Sequence, residues 1–141
     1  KVLDCSHLIV FAAQTDIGDH TVDRYVTQFV KTRDVPAQDI SGYVAHMKEA
    51  LAAKSREEKR VWAHQQAYIA LGTLLTAAAS MRVDSCPMTG FDHQAYDDVL
   101  GLAKLGLETT AIVALGYRSA RDRTSGLPKV RFDYDDLVIS V

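Results

Sequence analysis

The chain has 141 residues, 48% of them hydrophobic and 24% charged, which is enough for one globular domain, residues 1–141, with a hydrophobic core. Its formal net charge of −2 is scattered along the sequence, so no basic surface for DNA or RNA is expected. No apolar run reaches the roughly 18 residues that a membrane helix needs, and no signal-peptide pattern is present. These features predict a soluble, cytoplasmic protein without a membrane partner.

The first third of the chain predicts one strand and two helices. Residues Ser6–Ala13, SHLIVFAA, form a continuous apolar run rich in branched side chains, which is typical of a strand covered on both faces. Apolar residues at helical spacing then predict a helix with Asp19 or Thr21 as its N-cap. A second amphipathic helix is predicted to end near Lys54.

A long central helix is predicted from about Arg56 to Met81, because Ser55 and Glu58 form a Ser-x-x-Glu capping box before it. From Ala67 to Ala79 almost every position is apolar or small, so we expect this half to be buried on all sides. Either other parts of the same chain or a second subunit would provide that cover.

The stretch SCPMTGFD, Ser85–Asp92, combines a proline and a glycine between two apolar segments. Pro87 fixes its own backbone angle, while Gly90 allows left-handed angles or the close approach of a ligand. The pattern suits an ordinary turn between a strand and a helix. It equally suits a shaped surface that contacts a ligand.

The last part of the chain predicts two further strands. A short helix is expected to end between Gly101 and Gly106, and the apolar run Thr109–Tyr117 predicts a strand after it. The residue before a proline avoids the helical region, so the segment from Leu127 should begin in extended form. Residues Leu137–Val141 are predicted to form a strand.

Lys129 and Arg131 are the best candidates for anion binding. They lie two residues apart, and such residues project to the same side of an extended segment. Both cations can therefore bind one phosphate group. The alternative is an exposed edge strand, on which lysine discourages aggregation.

Several chemistries have no pattern to support them. The chain contains no Gly-x-Ser-x-Gly elbow, and its five histidines are dispersed. Cys5 and Cys86 lie far apart without a CxxC spacing, and neither a GxGxxG fingerprint nor a Walker A loop occurs. No catalytic side chain and no metal ligand is therefore assigned.

Five segments in order give a more specific indication. Together they resemble the larger C-terminal part of the nitroreductase family, the FMN-dependent NAD(P)H oxidoreductases, over essentially the whole chain. The segments are KVLDCSHLIVFAA, AYIALGTLLTAAA, DSCPMTGFD, VALGYRSARD and LPKVRFDYDDLV.

This resemblance implies an α+β fold, a sheet flanked by helices, in an intertwined homodimer with one FMN in each of two clefts between subunits. It implies hydride transfer from NAD(P)H through the flavin to a small-molecule electron acceptor such as a nitroaromatic or a quinone. It also implies three groups of cofactor-binding residues: Pro87, Met88, Thr89 and Gly90 over the flavin, Lys129 and Arg131 at its phosphate, and Lys1 near the nicotinamide nucleotide.

Two departures from the family pattern matter. The family's N-terminal Arg-x-Ser-x-Arg type segment does not occur in these residues, so we expect the N-terminal part of the fold, and with it half of the flavin site, to be missing. Thr89 stands where relatives often have glutamate. The alternative interpretation is therefore a non-catalytic module that dimerises or binds flavin without turnover.

Overall fold

The computed structural model describes residues 1–141 as three strands and five α-helices. The strands are β1 (His7–Gln14), β2 (Asp84–Met88) and β3 (Leu107–Gly116), and the helices are α1 (Asp19–Arg33), α2 (Ser41–Ala52), α3 (Arg56–Ser80), α4 (His93–Leu100) and α5 (Tyr134–Leu137). Short 3-10 turns occupy Ala37–Ile40 and Leu102–Leu105. The α+β prediction is confirmed.

The three strands form one antiparallel sheet in the order β1-β3-β2. The central strand β3 pairs on both sides and is the most buried element, with Ile112 and Val113 almost fully inaccessible. Helix α3 packs on the sheet, where Leu71 joins Ala111 and Val113 in the core. Strand β1 lies at an edge, and only its residue Ala13 is fully buried, so the predicted cover on both faces of β1 is absent from this chain.

A β-bulge interrupts the pairing of β1 with β3. Phe11 lies opposite Ala111, but the next residue, Ala12, lies opposite Thr109. Thr110 is therefore the extra residue of β3, and it is buried. Its position next to helix α3 gives the bulge a structural role, because a bulge redirects the side chain that it carries.

Side chains of α3 hold this bulge in place. His64 Nδ1 lies 2.8 Å from Thr110 Oγ1, and His64 Nε2 lies 2.9 Å from Glu108 Oε1. Glu108 also accepts two hydrogen bonds from the Arg60 guanidinium, at 2.7 and 3.2 Å. Burial alone raises the pKa of Glu108, but the bonds from Arg60 and His64 outweigh it and the pKa lies below its usual value. Because the folded-state pKa is lowered, this network stabilises the fold at pH values above the usual carboxyl pKa of 4.5 and weakens as the pH falls below it.

Glycine, rather than either predicted residue, caps helix α1. The N-cap is Gly18, and its N–H donates to Thr21 Oγ1 at 3.3 Å. Thr21 thus occupies the third helical position and binds back to the cap, while Asp19 is the first helical residue. The prediction of Asp19 or Thr21 as N-cap is wrong because glycine also suits this position.

The capping box of α3 is confirmed. Ser55 Oγ accepts from the Glu58 N–H at 3.2 Å, and Glu58 Oε2 accepts from the Ser55 N–H at 2.7 Å. These reciprocal bonds lower the pKa of Glu58. The helix then continues for 25 residues. Even this helix does not combine the length and the apolarity that crossing a membrane requires.

One face of α3 has no cover within the chain. Ala67, Leu71 and Ala78 are buried, whereas Tyr68 is 47% and Ile69 64% exposed. An open groove of about 600 Å³ follows this face and is lined by Tyr68, Ile69, Gly72, Thr73, Thr76, Ala77 and Ser80. The predicted burial on all sides is therefore wrong for the isolated chain, and intrachain packing does not supply the cover.

The C-terminal segment also lacks a partner in the chain. The predicted strand Leu137–Val141 is not formed, because α5 ends at Leu137 and residues 138–141 have no regular structure. A strand forms only where a neighbouring strand takes up its N–H and C=O groups, and no element of this chain does so. Apolar side chains such as Val130, Phe132 and Ile139 are left exposed.

The capping box is directly testable. Replacing Ser55 with alanine removes the acceptor for the Glu58 N–H, so we expect Ser55→Ala to lower the free energy of unfolding by about 1 kcal/mol. Urea titration followed by circular dichroism measures this change. Ser80→Ala is the control, because Ser80 donates only to the Thr76 carbonyl inside the helix. Equal unfolding free energies of Ser55→Ala and the unmodified protein would contradict the prediction.

Candidate functional site

The segment that was predicted to bind a ligand begins inside the sheet. Pro87 belongs to β2 and lies opposite Val113, and Met88 is the last residue of this strand, opposite Ile112. Because β2 is an edge strand, proline is tolerated there although it cannot donate a ladder hydrogen bond. Thr89–Asp92 then connect β2 to α4. The turn between a strand and a helix is therefore confirmed, and it leaves the surface interpretation open.

Nothing inside the chain requires a glycine at position 90. Gly90 is not among the glycines with a left-handed backbone, which are Gly101 and Gly106. A Cβ atom built on Gly90 would meet no heavy atom within 4 Å. Gly90 therefore does not serve to provide left-handed backbone angles. The remaining explanation is that its missing side chain lets a group from outside the chain come close.

The loop presents two free backbone donors at its exposed surface. The N–H groups of Thr89 and Gly90 donate to no acceptor in the chain, and both residues are exposed. The helix that follows is firmly anchored, because Asp92 caps α4 by accepting from the Ala95 N–H at 3.0 Å. The connection between β2 and the capped helix thus carries two donors that are available to a bound molecule.

His93 is a contact of this loop that sequence reasoning missed. Its Nε2 lies 3.2 Å from the Thr89 carbonyl oxygen, and its Nδ1 lies 3.0 Å from the Thr109 carbonyl oxygen. Thr109 is in β3, 16 residues away along the chain. No spacing in the sequence indicates this pairing, because it depends on how α4 packs on the sheet.

The structure brings Lys1 close to the same strand. Its Nζ lies 3.5 Å from Cys86 Sγ, and Cys86 directly precedes Pro87. Cys5 and Cys86 are both free thiols. Lys1 therefore lies beside β2, close to the residue that precedes Pro87.

Lys129 lies near the other end of β2. The first residue of β2, Asp84, binds the Arg118 guanidinium and also accepts from the Arg118 N–H at 2.9 Å. These bonds from Arg118 are the main cause that lowers the pKa of Asp84 to about 2, and the charge of Lys129 adds a smaller effect in the same direction. Lys129 is therefore close enough to act on this carboxylate.

The one hydrogen bond of the Arg131 side chain is local. Its Nη1 donates to the Val130 carbonyl at 2.7 Å, and its side chain is exposed. Asp84 and Gly90 are six residues apart, a distance of roughly 20 Å in extended chain. Lys129 and the loop that contains Gly90 thus lie toward opposite ends of β2.

Two open grooves lie elsewhere on the chain. One follows α3, as described above, and the other, also of about 600 Å³, is lined by Gln14, Thr21, Arg24, Tyr25, Thr27 and Gln28. Neither contains Gly90 or Lys129. Thr89, Gly90 and the two cations Lys129 and Arg131 are exposed at the surface of the single chain.

Comparison with known proteins identifies the family. The sequence model of the Nitroreductase family matches residues 8–117 of this chain. The chain belongs to the nitroreductase family. An oxygen-insensitive NAD(P)H nitroreductase from Salmonella typhimurium is 30% identical over 154 aligned positions, covering 100% of this chain and 66% of that protein. The major NAD(P)H-flavin oxidoreductase of Aliivibrio fischeri is 27% identical over 136 positions, which cover 95% of this chain and 62% of that protein.

Solved structures show the same fold. A nitroreductase family protein from Streptococcus pneumoniae superposes with a TM-score of 0.78 at 15% identity, covering 99% of this chain and 66% of that one. A nitroreductase-like protein from Streptococcus mutans superposes with a TM-score of 0.79 at 13% identity, covering 97% of this chain and 63% of that one. The chain thus spans about two thirds of the length of the relatives that it matches.

The pairing of Asp84 with Arg118 predicts a measurable titration. In the unmodified protein we expect the Asp84 carboxyl to titrate at about pH 2, and in Arg118→Gln its pKa should rise toward 3.8. Because the folded-state pKa is depressed, the pair stabilises the fold above about pH 4 and is lost as the pH falls toward 2. Carboxyl-detected NMR measures both values.

Arg121→Gln is the control for this titration, because the Arg121 side chain takes no part in the pair. An Asp84 pKa that is unchanged by Arg118→Gln would show that the pairing does not form in solution.

Proposed function

We propose that this protein is an FMN-dependent oxidoreductase that transfers hydride from NAD(P)H through the flavin to nitroaromatic, quinone or similar acceptors. Its membership of the nitroreductase family supports the general chemistry, and two of its relatives are named for NAD(P)H nitroreduction and NAD(P)H-flavin oxidoreduction. The observation that carries the proposal is the exposed loop in which the N–H groups of Thr89 and Gly90 have no acceptor.

This loop has the properties that a flavin ring needs. A planar ring can come into contact with Gly90 because this residue has no side chain. The space where a Cβ atom would lie is free of other atoms of the chain. The free N–H groups of Thr89 and Gly90 can donate to flavin N5 or O4, atoms at which hydrogen bonding tunes the ring. Pro87 stiffens the strand just before them, and Met88 is half-buried beside them.

When bound, FMN supplies the hydride chemistry itself, so the protein needs no acid-base pair. The role of the chain is to bind the ring and orient it. Lys1 lies beside Cys86 and is proposed to interact with the nicotinamide nucleotide. Thr89 puts a neutral hydroxyl where relatives often have a carboxylate, which removes a negative charge from beside the ring.

Lys129 and Arg131 are proposed to bind the FMN phosphate. Both side chains are exposed cations, and charge-assisted hydrogen bonds to phosphate are among the stronger polar contacts in proteins. Lys129 lies near the start of β2 and the free donors lie beyond its end, so an elongated ligand along this edge would contact both. The carboxylate of Asp84 is already neutralised by Arg118, which limits its repulsion of a phosphate.

We further propose that the protein is an intertwined homodimer. The uncovered face of α3 carries the exposed Tyr68 and Ile69 beside Gly72 and Ala77, and such small residues allow the backbone of a second helix to come close. The exposed apolar side chains of the C-terminal segment are suited to reach across to a second copy. Burying both surfaces would remove a large apolar area from water.

The cations are tested by flavin affinity. In the full-length gene product, we expect Lys129→Ala combined with Arg131→Ala to raise the Kd for FMN at least roughly tenfold, because two charge-assisted bonds to the phosphate are lost. Quenching of flavin fluorescence measures the Kd. Lys54→Ala combined with Lys104→Ala removes the same charge from exposed sites elsewhere and should leave the affinity unchanged. Equal affinity of the first double variant and the unmodified protein would remove the phosphate assignment.

Turnover is tested with the same preparation. The proposed enzyme should carry a visible flavin band that bleaches with NADH or NADPH and returns on addition of a quinone. A flavin band that bleaches with neither nucleotide would favour a flavin-binding module without turnover. Failure to bind FMN at all would overturn the proposal.

The interface is tested by the oligomeric state. Ile69→Asp places a charge in the uncovered groove of α3, so we expect it to convert a dimer into a monomer because an unpaired buried charge is costly. Analytical ultracentrifugation measures the mass. Leu105→Asp, at an exposed position outside this groove, is the control and should remain dimeric. A dimer that persists in Ile69→Asp would show that this face is not the interface.

A further inference from the structure

One imidazole ring connects the candidate flavin loop to the central strand. His93 lies between the carbonyl oxygens of Thr89 and Thr109, at 3.2 Å and 3.0 Å. Carbonyl oxygens only accept, so the ring donates to one of them in either neutral tautomer and to both when it is protonated. The contact joins an exposed loop to a buried position, because Thr109 is only 3% exposed.

The ring itself is firmly held. It stacks on Phe91, with centroids 4.2 Å apart, and Phe91 packs edge-on against Tyr96 at 4.8 Å. Asp97, also on α4, accepts from both the N–H and the hydroxyl of Thr109. Helix α4 therefore binds both backbone groups of Thr109. Asp97 binds the N–H, and His93 contacts the C=O. The loop is therefore anchored to β3, the most buried strand of the fold.

The geometry of the peptide bond extends this contact to Gly90. The C=O of Thr89 and the N–H of Gly90 belong to one planar trans peptide and point in opposite directions. Fixing the carbonyl toward His93 therefore fixes the Gly90 N–H in the direction away from the ring. That N–H is one of the two donors without an acceptor in the chain.

We infer that His93 is a positioning residue that orients the Thr89–Gly90 peptide, so that the Gly90 N–H is already directed at an acceptor atom of the flavin before binding. This inference rests on the proposed function. Gly90 has the greatest backbone freedom of any residue type, and ordering it during binding would weaken affinity. The ring of His93 removes that freedom in advance.

The test compares three variants of the full-length gene product. His93→Phe keeps an aromatic ring that can stack on Phe91 but removes both ring nitrogens. His93→Gln keeps an N–H donor group of similar reach. His46→Phe, at an exposed position of α2, is the matched control. Two quantities are measured: the heteronuclear NOE of the Gly90 amide without flavin, and the Kd for FMN from fluorescence quenching.

We expect His93→Phe to lower the Gly90 NOE and to raise the Kd about five- to tenfold, in keeping with the cost of ordering a flexible group. His93→Gln should restore both quantities to within about twofold of the unmodified protein, and His46→Phe should change neither. The thermal midpoint Tm is recorded for each variant. If His93→Phe does not fold, His93→Asn replaces it with the same expectation, because its shorter amide cannot span the two carbonyls.

Each failure has its own signature. A Gly90 NOE and an FMN affinity that both stay unchanged when the donors are removed would overturn the inference, and so would a fall in Tm without a change in either quantity. Absence of FMN binding in the unmodified protein would overturn the proposed function instead. In that case the Gly90 NOE, which is measured without flavin, still decides whether His93 orients the peptide.

Discussion

Burial of β3 between two antiparallel neighbours is the interaction on which the rest of the structure depends. Ile112 and Val113 are almost inaccessible, and α3 packs Leu71 against the same strand. Because β2 pairs with β3 in a single register, the end of β2 and the loop after it can occupy only one place. The two free N–H donors are therefore presented by a strand whose position is set by the hydrophobic core.

The same arrangement explains why so much apolar surface stays uncovered. Only 14 of 141 residues are buried, and exposed apolar side chains lie along the groove of α3 and in the C-terminal segment. The chain spans about two thirds of its relatives. The loop after β2 and Lys129 thus lie at the margin of this chain's core, where further protein surface and a second copy are proposed to complete a cofactor site.

Local structure was largely predictable, because it depends on neighbours in the sequence. The spacing of apolar residues predicts α1, α2 and β3, and the Ser55–Glu58 box predicts where α3 begins, since both partners lie within one turn. The errors share a different cause. Leu137–Val141 has the composition of a strand but no partner strand in the chain, and the half of α3 that reads as fully buried has one open face. Composition indicates that a surface must be covered without indicating what covers it.

The sequence by itself determined the α+β class, the turn after β2, the capped central helix and the family, because each rests on short-range pattern or on the order of motifs. Only the tertiary structure decided that His93 binds the Thr89 and Thr109 carbonyls, that Lys1 lies beside Cys86, and that Arg118 pairs with Asp84. The partners in the last two contacts are 85 and 34 residues apart along the chain. Such contacts depend on how the elements pack around β3, and no spacing in the sequence encodes that packing.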